Sequence, residues 1–302
     1  MLVSGCGGDG ADTSDGSDLA PAGGGGSLTY ALPDVPADPD PLAAVSRAQQ
    51  TATRQIHEPL VARLAGPYGD TRRQPGLALS ARPSDGNTVW TLTLRPGVRF
   101  QDGTPLNGAA VLANARRWRS VTAAQRLLPG VFAVDAPRPD QVRFLLQRPV
   151  PDLDRRLASP RLGIVSPRAL EPQTGEGARF RTGALRSGTG PFELAGGAPR
   201  RLELHRFESW WGSGAGLGPA LDGVVFLAAP SDQGRLRLLQ AGTVQVADPL
   251  GAAALEEIAA DPLLNELGGP VSGIGLAGSV RGLDSAGAVP LLSRVWLTDI
   301  GD

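Results

Sequence analysis

The first regular pattern along the chain is an alternation of apolar and polar residues that predicts a strand at residues 28–32. Leu28, Tyr30 and Leu32 fall on one side of this strand, which predicts that this side is buried. The same alternation returns at residues 89–94, where Trp90 and two leucines share one side opposite two threonines. Each strand is therefore predicted to place one apolar face against a core.

Helical spacing of apolar residues predicts a helix over residues 42–65, with Val45, Ile56 and Leu64 among its apolar positions. Pro59 lies inside this segment, and proline removes a backbone hydrogen bond, so the helix is expected to break or kink there.

Two further helices begin at residues that favour a helix N-cap. Asn107 precedes a helix that places Val111, Ala115 and Trp118 on one face. Ser231 precedes a second helix, which is expected to end at Gly242.

Short apolar runs between turn residues predict the remaining strands. Asp85-Gly86 favours a hairpin turn with positive φ angles, and Asp102-Gly103 predicts a second turn. The further strands are predicted from Leu77 and at 131–135, 141–147, GTGPFELA, RLELHRF, 224–228 and TVQVAD. Strands and helices alternate irregularly without a repeat, which predicts an α/β or α+β fold with mixed sheets.

Composition excludes several classes of function. The 41% hydrophobic and 20% charged residues are typical of a soluble globular chain, and the net charge of −1 gives no reason to bind nucleic acid. All 29 basic residues are arginine, so lysine Schiff-base chemistry and a phosphate-loop lysine are both excluded. The single cysteine excludes an intrachain disulfide, and no apolar run is long enough to span a bilayer.

The front of the chain, residues 1–27, predicts a lipid-anchored tether. Residues 7–27 are rich in glycine, serine and aspartate, which favours a flexible, solvated segment. The stretch LVSGC before it resembles the end of a bacterial lipoprotein signal, in which Cys6 would receive the lipid. The apolar segment of such a signal is absent, which implies an upstream start or a trimmed chain. Otherwise the chain would stay in the cytoplasm with Cys6 as an idle thiol.

Three long stretches in a fixed order resemble one protein family. They are WTLTLRPGVRFQDGTPLNGAAVLANARRW, GTGPFEL and ESWWGSGAGLGPALDGVVFLAAPSDQGRLRLLQAGTVQVAD. Together with residues 28–65 they resemble the extracellular solute-binding proteins of family 5, the peptide-, dipeptide- and nickel-binding components of ABC importers. The resemblance covers most of residues 28–270.

The resemblance implies a periplasmic binding protein-like fold of type II. Residues 28–66 and 186–270 would form a discontinuous first lobe, and residues 67–185 would form a subdomain inserted into it. Residues 271–302 match poorly and are interpreted as a remnant of an opposing lobe that is otherwise missing. Because such proteins bind by enclosing the ligand, one lobe is expected to bind weakly.

The resemblance also suggests ligand-binding residues. The loop after the first strand faces the cleft in relatives, which makes Leu32, Pro33 and Asp34 candidates, although the loop could equally be a rigid connector. In nickel-type relatives an arginine in an L-x-x-P-R stretch meets a carboxylate of the chelate, and Arg161 occupies that position here. A guanidinium pairs well with carboxylates, but Arg161 could also be a surface arginine.

Other conspicuous residues are interpreted as structural. Trp210 and Trp211 are predicted aromatic anchors beneath a loop, and Gly188 and Gly190 are predicted to allow close backbone approach. The GTG stretch at 188–190 enters a strand, whereas nucleotide-binding loops enter a helix.

The remaining titratable residues predict no metal site. His57 and His205 lie far apart in sequence without a cluster of other metal ligands around either. Glu256 and Glu257 are adjacent on a predicted helix and point apart, so an acid–base pair is not expected.

These observations predict a monomeric, membrane-anchored, extracytoplasmic protein that captures a small peptide or a metal chelate and passes it to an ABC permease. No cofactor, nucleic-acid partner or bond chemistry is expected. Two alternatives remain: a truncated, transport-inactive surface lipoprotein, and a hydrolase, for which the chain offers few nucleophile–base combinations.

Overall fold

A computed structural model of the chain describes residues 25–65, 71–74, 76–171, 186–268, 272–277, 279–281 and 296–297. The strands are β1 Ser27–Leu32, β2 Ala62–Ala65, β3 Thr71–Gln74, β4 Ala78–Ser84, β5 Val89–Leu94, β6 Val131–Arg138, β7 Gln141–Leu146, β8 Phe192–Ala198, β9 Arg201–Arg206, β10 Gly223–Ala228, β11 Val246–Gly251, β12 Leu264–Gly268, β13 Ser272–Ala277, β14 Val280–Arg281 and β15 Trp296–Leu297. The helices are α1 Arg47–Arg54, α2 Gly108–Ser120, α3 Thr122–Leu127, α4 Leu153–Arg156, α5 Pro167–Leu170, α6 Asp232–Gln240 and α7 Ala252–Ala259.

The larger sheet has seven strands in the order β12-β13-β11-β1-β10-β9-β8. At its centre, β1 pairs parallel with both β10 and β11, whereas the outer pairs are antiparallel. The sheet therefore combines one strand near the start of the chain with strands that follow residue 191, so its centre forms only when distant segments meet.

Both faces of β1 are buried, each against different helices. Leu28, Tyr30 and Leu32 share a core with Ala48 and other residues of α1, which confirms the face predicted from alternation. The intervening Ala31 packs into a second core together with apolar residues of α6 and α7. Helices therefore cover the centre of the sheet on both sides, the arrangement expected for parallel strands.

A second sheet of four strands, in the order β4-β5-β7-β6, is built entirely from the middle of the chain. Its core includes the predicted face of β5, where Trp90, Leu92 and Leu94 are all buried. Helix α2 packs on this core through Val111 and Trp118, as its spacing predicted.

The predicted turn and helix-start signals are confirmed. Gly86, between β4 and β5, has a φ angle of 64°. The Asn107 side chain accepts a 3.0 Å hydrogen bond from the Ala110 amide at the start of α2. Ser231 accepts one of 3.1 Å from the Gly234 amide at the start of α6, and Gly242 follows that helix with a φ angle of 67°.

The GTG segment joins the two sheets through close backbone contacts. A Cβ atom on Gly188 would lie 2.0 Å from the Ile56 carbonyl oxygen, and one on Gly190 would lie 2.2 Å from that of Gln55. Gln101, in the loop after β5, accepts a 3.0 Å hydrogen bond from the Gly188 amide. The predicted close approach at both glycines is therefore confirmed.

The predicted helix over 42–65 is wrong in extent, because α1 covers only Arg47–Arg54 and β2 occupies the end of the segment. The carbonyls of Gln55, Ile56 and Glu58 accept hydrogen bonds from amides at positions 192, 190 and 164, respectively. These carbonyls are therefore used in tertiary contacts instead of a continued helix. Val45, predicted as an apolar helix position, lies before α1 and is 70% exposed.

The predicted boundary between residues 270 and 271 also needs correction. β13 pairs antiparallel with β12 and with β11, so residues 272–277 form a strand of the seven-stranded sheet. The predicted boundary therefore separates two strands that pair with each other. The pairing partners of β13 determine which sheet it joins, and the family motifs do not.

Candidate ligand-binding site

The carboxyl ends of three parallel strands lie along one edge of the larger sheet. β1, β10 and β11 run in the same direction, so the segments that follow them, including the start of α7 after β11, begin at that edge. In open α/β sheets ligands bind outside the carboxyl ends of the strands, which makes this edge the candidate site.

The end of β1 and the loop that leaves it carry three of the predicted ligand-binding residues. Leu32 is fully buried at the end of the strand, whereas Pro33 and Asp34 are half-buried. The Ser46 hydroxyl donates to the Asp34 carboxylate at 2.9 and 3.2 Å and accepts from the Gln49 amide at 3.0 Å. Asp34 is therefore held at the first turn of α1, beside the candidate edge.

Arg161, the fourth predicted residue, contacts the other end of the same loop. It lies in the short helical turn Pro160–Leu162, and its Nη2 donates a 3.0 Å hydrogen bond to the Leu42 carbonyl. Arg117 of α2 pairs with Asp40 at 2.5 Å. The structure thus connects all four predicted residues to one loop, and their roles in binding stay predictions.

A buried network beside this loop was missed by the sequence analysis. The Tyr30 hydroxyl donates a 2.9 Å hydrogen bond to Oδ2 of Asp248, which lies in β11. Nη1 of Arg47, the first residue of α1, lies 3.8 Å from Oδ1 of the same carboxylate. A charged residue within an otherwise buried strand was the sequence signal that could have indicated it.

Burial controls the ionisation of this network. It raises the pKa of Asp248, although the positive charge of Arg47 and the hydrogen bond from Tyr30 oppose this shift. Burial also raises the pKa of Tyr30 well above its ordinary value, and the nearby Asp248 carboxylate adds to the increase. Tyr30 therefore remains a neutral hydrogen-bond donor to Asp248 at physiological pH.

A buried arginine joins the loop that follows β10 to the strand β11. The Arg235 guanidinium donates to the carbonyls of Ala229 and Pro230 at 2.7 and 3.1 Å, and to that of Pro249 at 2.9 and 2.5 Å. It also pairs with Asp232 at 2.5 Å. Since one side chain joins the loop after β10 to β11, this part of the candidate edge has a defined shape before any ligand binds.

A second buried carboxylate lies away from this edge. Glu58 follows α1, and its Oε2 accepts a hydrogen bond of 2.8 Å from the Trp211 indole and a longer one of 3.4 Å from that of Trp210. Arg95 stacks over Trp211, with its guanidinium carbon 4.4 Å from the ring centroid. Trp210 is 3% exposed, so its predicted role as a buried aromatic anchor is confirmed.

Within the described ranges, no group of three or more histidine, cysteine or acidic side chains is placed to hold a metal ion. His57 is buried with Nδ1 3.3 Å from the Ile164 carbonyl, and His205 is exposed on β9. Glu256 and Glu257 are both exposed on α7. Cys6, the predicted lipidation site, lies outside the described residues.

In the described part of the chain, no helix combines the length and the apolar character needed to cross a membrane.

Solved structures with the same fold are periplasmic or other transporter-associated binding proteins. The AgaA protein of A. tumefaciens R10, solved with agropinic acid, aligns with a TM-score of 0.68 and 26% identity over 80% of this chain and 48% of its own. DppA from Helicobacter pylori, solved with the peptide STSA, also aligns with a TM-score of 0.68, at 22% identity over 81% and 50%. The predicted α/β fold of the periplasmic binding proteins is therefore confirmed.

The sequence comparisons agree with the structural ones. The glutathione-binding protein GsiB of Escherichia coli O1:K1 / APEC is 30% identical over 217 residues, which cover 70% of this chain and 41% of GsiB. The chain thus spans about two fifths of the length of such curated relatives and about half of the solved neighbours. The profile of the "Bacterial extracellular solute-binding proteins, family 5 Middle" matches residues 72–280, more than half of the chain. The chain therefore belongs to the extracellular solute-binding proteins of family 5.

Proposed function

We propose that this chain supplies the first lobe of an extracytoplasmic substrate-binding protein that captures a small peptide or a metal chelate for an ABC permease. The family match over residues 72–280 carries the proposal. The position of Asp34 beside the carboxyl ends of β1, β10 and β11 supports a ligand site at that edge.

The ligands of similar proteins narrow the chemistry of the substrate. GsiB is named for binding glutathione, and similar solved proteins are in complex with the peptide STSA, agropinic acid or Fe(III)-EDTA. Peptides, glutathione and EDTA all carry carboxylate groups, and agropinic acid is an acid by name. We therefore propose a small, carboxylate-bearing ligand.

Our proposal divides the chain into a discontinuous first lobe, 28–66 with 186–277, and an inserted subdomain, 67–185. The strand pairing of β1 with β10 and β11 supports the discontinuous lobe. Ligand capture would require an opposing lobe that encloses the ligand, so this lobe alone would bind weakly. A transport-inactive surface lipoprotein is the alternative.

Membrane attachment through a lipid on Cys6 is part of the same proposal, and the LVSGC stretch supports it. Metabolic labelling with a radioactive fatty acid in a bacterial host tests it. When an apolar signal segment is joined before Leu2, the wild-type chain is expected to take up the label and a Cys6→Ser variant is not. Equal labelling of both chains would contradict the proposal.

We propose that the protein is a monomer that binds its ligand without a cofactor and without changing its covalent bonds. Its relatives are solute-binding proteins, which supports this assignment over a hydrolase. Turnover of a chromogenic ester or amide by the purified chain would contradict it.

Isothermal titration calorimetry tests ligand capture directly. Glutathione, the peptide Ser-Thr-Ser-Ala and a nickel–histidine complex are titrated into the full chain. Binding of one of them, weakened by Asp34→Ala and unchanged by Asp140→Ala, is the expected result. Asp140 is an exposed residue at the β6–β7 turn and serves as a matched control. The absence of heat with every ligand would favour the transport-inactive alternative.

A further inference from the structure

We propose that Arg47, oriented by Asp248, contacts a carboxylate group of the bound ligand. This inference rests on the proposed function, since it assumes that the carboxyl edge of β1, β10 and β11 faces the ligand. It adds to the ligand site a residue that neither motif nor resemblance indicated. Its role would be to bind the negatively charged group of the ligand.

The first step in the argument is position. Arg47 is the first residue of α1 and follows Ser46, whose hydroxyl binds Asp34 in the loop after β1. Its partner Asp248 lies in β11, two residues beyond the position that pairs with Tyr30 in β1. Arg47 therefore lies beside the middle of β11, level with the carboxyl end of β1 and next to the loop that follows it.

The second step is the orientation of the guanidinium. The Asp248 side chain is only 2% exposed, and its Oδ2 is occupied by the Tyr30 hydroxyl. Its Oδ1 is buried, has no hydrogen-bond partner among the described residues, and lies 3.8 Å from Arg47 Nη1. This separation exceeds a normal hydrogen bond, so Asp248 attracts one side of the guanidinium without occupying its donors.

The third step is availability. The Arg47 side chain is 46% exposed and donates no hydrogen bond to any residue in the part of the chain that the structure describes. Arg235, the buried arginine of this edge, instead uses its donors on three backbone carbonyls and Asp232. Arg161 donates to the Leu42 carbonyl. Arg47 thus offers a largely unused planar set of N–H donors at this edge.

The fourth step is the chemistry of the ligand. A guanidinium binds a carboxylate through two parallel N–H···O bonds, a geometry that a neutral ester or amide cannot match with the same charge. Asp34, bound to the neighbouring Ser46, carries the opposite charge. A ligand with a free carboxylate and an ammonium group, such as a peptide, fits this pair of charges.

Paired probes that differ only in the ligand's carboxylate test the inference. The first pair is glutathione and its glycyl monoethyl ester. The second is Ser-Thr-Ser-Ala and its C-terminal amide. Calorimetry on the full wild-type chain is expected to show that at least one free acid binds about tenfold or more tightly than the ester or amide in which that carboxylate is blocked.

Variants assign that preference to Arg47. Arg47→Gln is expected to lower the affinity for the free acid to that of its ester or amide. The affinity for the ester or amide itself should stay unchanged. Arg47→Lys should retain part of the preference because it keeps the charge but loses the fork of donors. Asp248→Asn should reduce the ratio of the two affinities, which a purely structural residue would not change. Arg82→Gln, at an exposed position of β4, is the matched control.

The possible failures are distinguishable. If the wild-type chain prefers a free acid and the Arg47→Gln variant keeps the same preference, the inference is overturned and the proposed function stays intact. A wild-type chain that binds neither pair overturns the inference, and one that also fails to bind the nickel–histidine complex overturns the proposed function as well. Thermal unfolding of each variant verifies that lost binding does not reflect lost folding.

Discussion

The indole Nε1 of Trp211 donates a 2.8 Å hydrogen bond to a carboxylate oxygen of Glu58, 153 residues earlier in the chain. This bond joins the segment after α1 to the segment after β9, and burial of Glu58 raises its pKa from 4.5 to about 7. The buried carboxyl group therefore changes its protonation near neutral pH.

Replacing Glu58 with glutamine should flatten the pH dependence of stability. Because the pKa of Glu58 is raised in the folded state, its contribution is greatest below pH 4.5 and is lost as the pH rises to about 7. The shift corresponds to a loss of about 3 kcal/mol in the free energy of unfolding across that window. Urea denaturation at several pH values measures it, with Glu58→Gln expected to lack the loss.

Glu208→Gln is the control for this experiment, because the Glu208 side chain is 84% exposed. It should retain the slope of the wild-type chain between pH 4.5 and pH 7. An unchanged slope in Glu58→Gln would show that other groups set the pH dependence.

Alanine at Gly188 or Gly190 should prevent normal folding. Either Cβ would lie about 2 Å from a backbone carbonyl oxygen of the Gln55–Ile56 segment, and backbone cannot move aside without loss of its hydrogen bonds. The expected loss of stability is about 3 kcal/mol or more. Circular dichroism melting detects it. Gly214→Ala, where a Cβ meets nothing within 4 Å, should melt like the wild-type chain.

Replacement of Arg235 by methionine should loosen the attachment of the loop after β10 to the strand β11. The substitution retains apolar volume but leaves the carbonyls of Ala229 and Pro249 without their guanidinium donor. We expect a loss of about 2–4 kcal/mol in urea denaturation. Arg237→Met, on the exposed side of the same helix, should change stability by less than about 0.5 kcal/mol. Equal losses in the two variants would contradict the role assigned to Arg235.

Loss of the Gln101 side chain should weaken the junction between the two sheets. Its amide accepts from the Gly188 amide at 3.0 Å and donates to the Phe192 carbonyl at 2.8 Å. Gln101→Ala is expected to lower the free energy of unfolding by about 2 kcal/mol. Hydrogen exchange should locate the change at residues 188–192. Gln147→Ala, at an exposed position, serves as the control and should leave exchange at residues 188–192 unchanged. Equally fast exchange at residues 188–192 in both variants would contradict the role assigned to Gln101.

Short-range features of the fold were predictable from the sequence alone. The buried face of β1, the Asn107 and Ser231 helix caps and the Asp85-Gly86 turn each depend on residues within a few positions of one another. Ordered motifs also identified the family. Local periodicity, capping and turn geometry carry this information because their interactions are formed within one segment.

Only the tertiary structure showed which distant segments meet. The carbonyls after α1 accept from amides near residues 164 and 190, which ended a helix that local spacing favoured. Tyr30 and Asp248 are 218 residues apart, and their hydrogen bond exists because β1 and β11 pair in parallel. Such contacts depend on strand order and register, which the identity of neighbouring residues does not specify. The position of Arg47 beside Asp248 at the candidate ligand site was therefore determined by the fold and could not be predicted from the sequence.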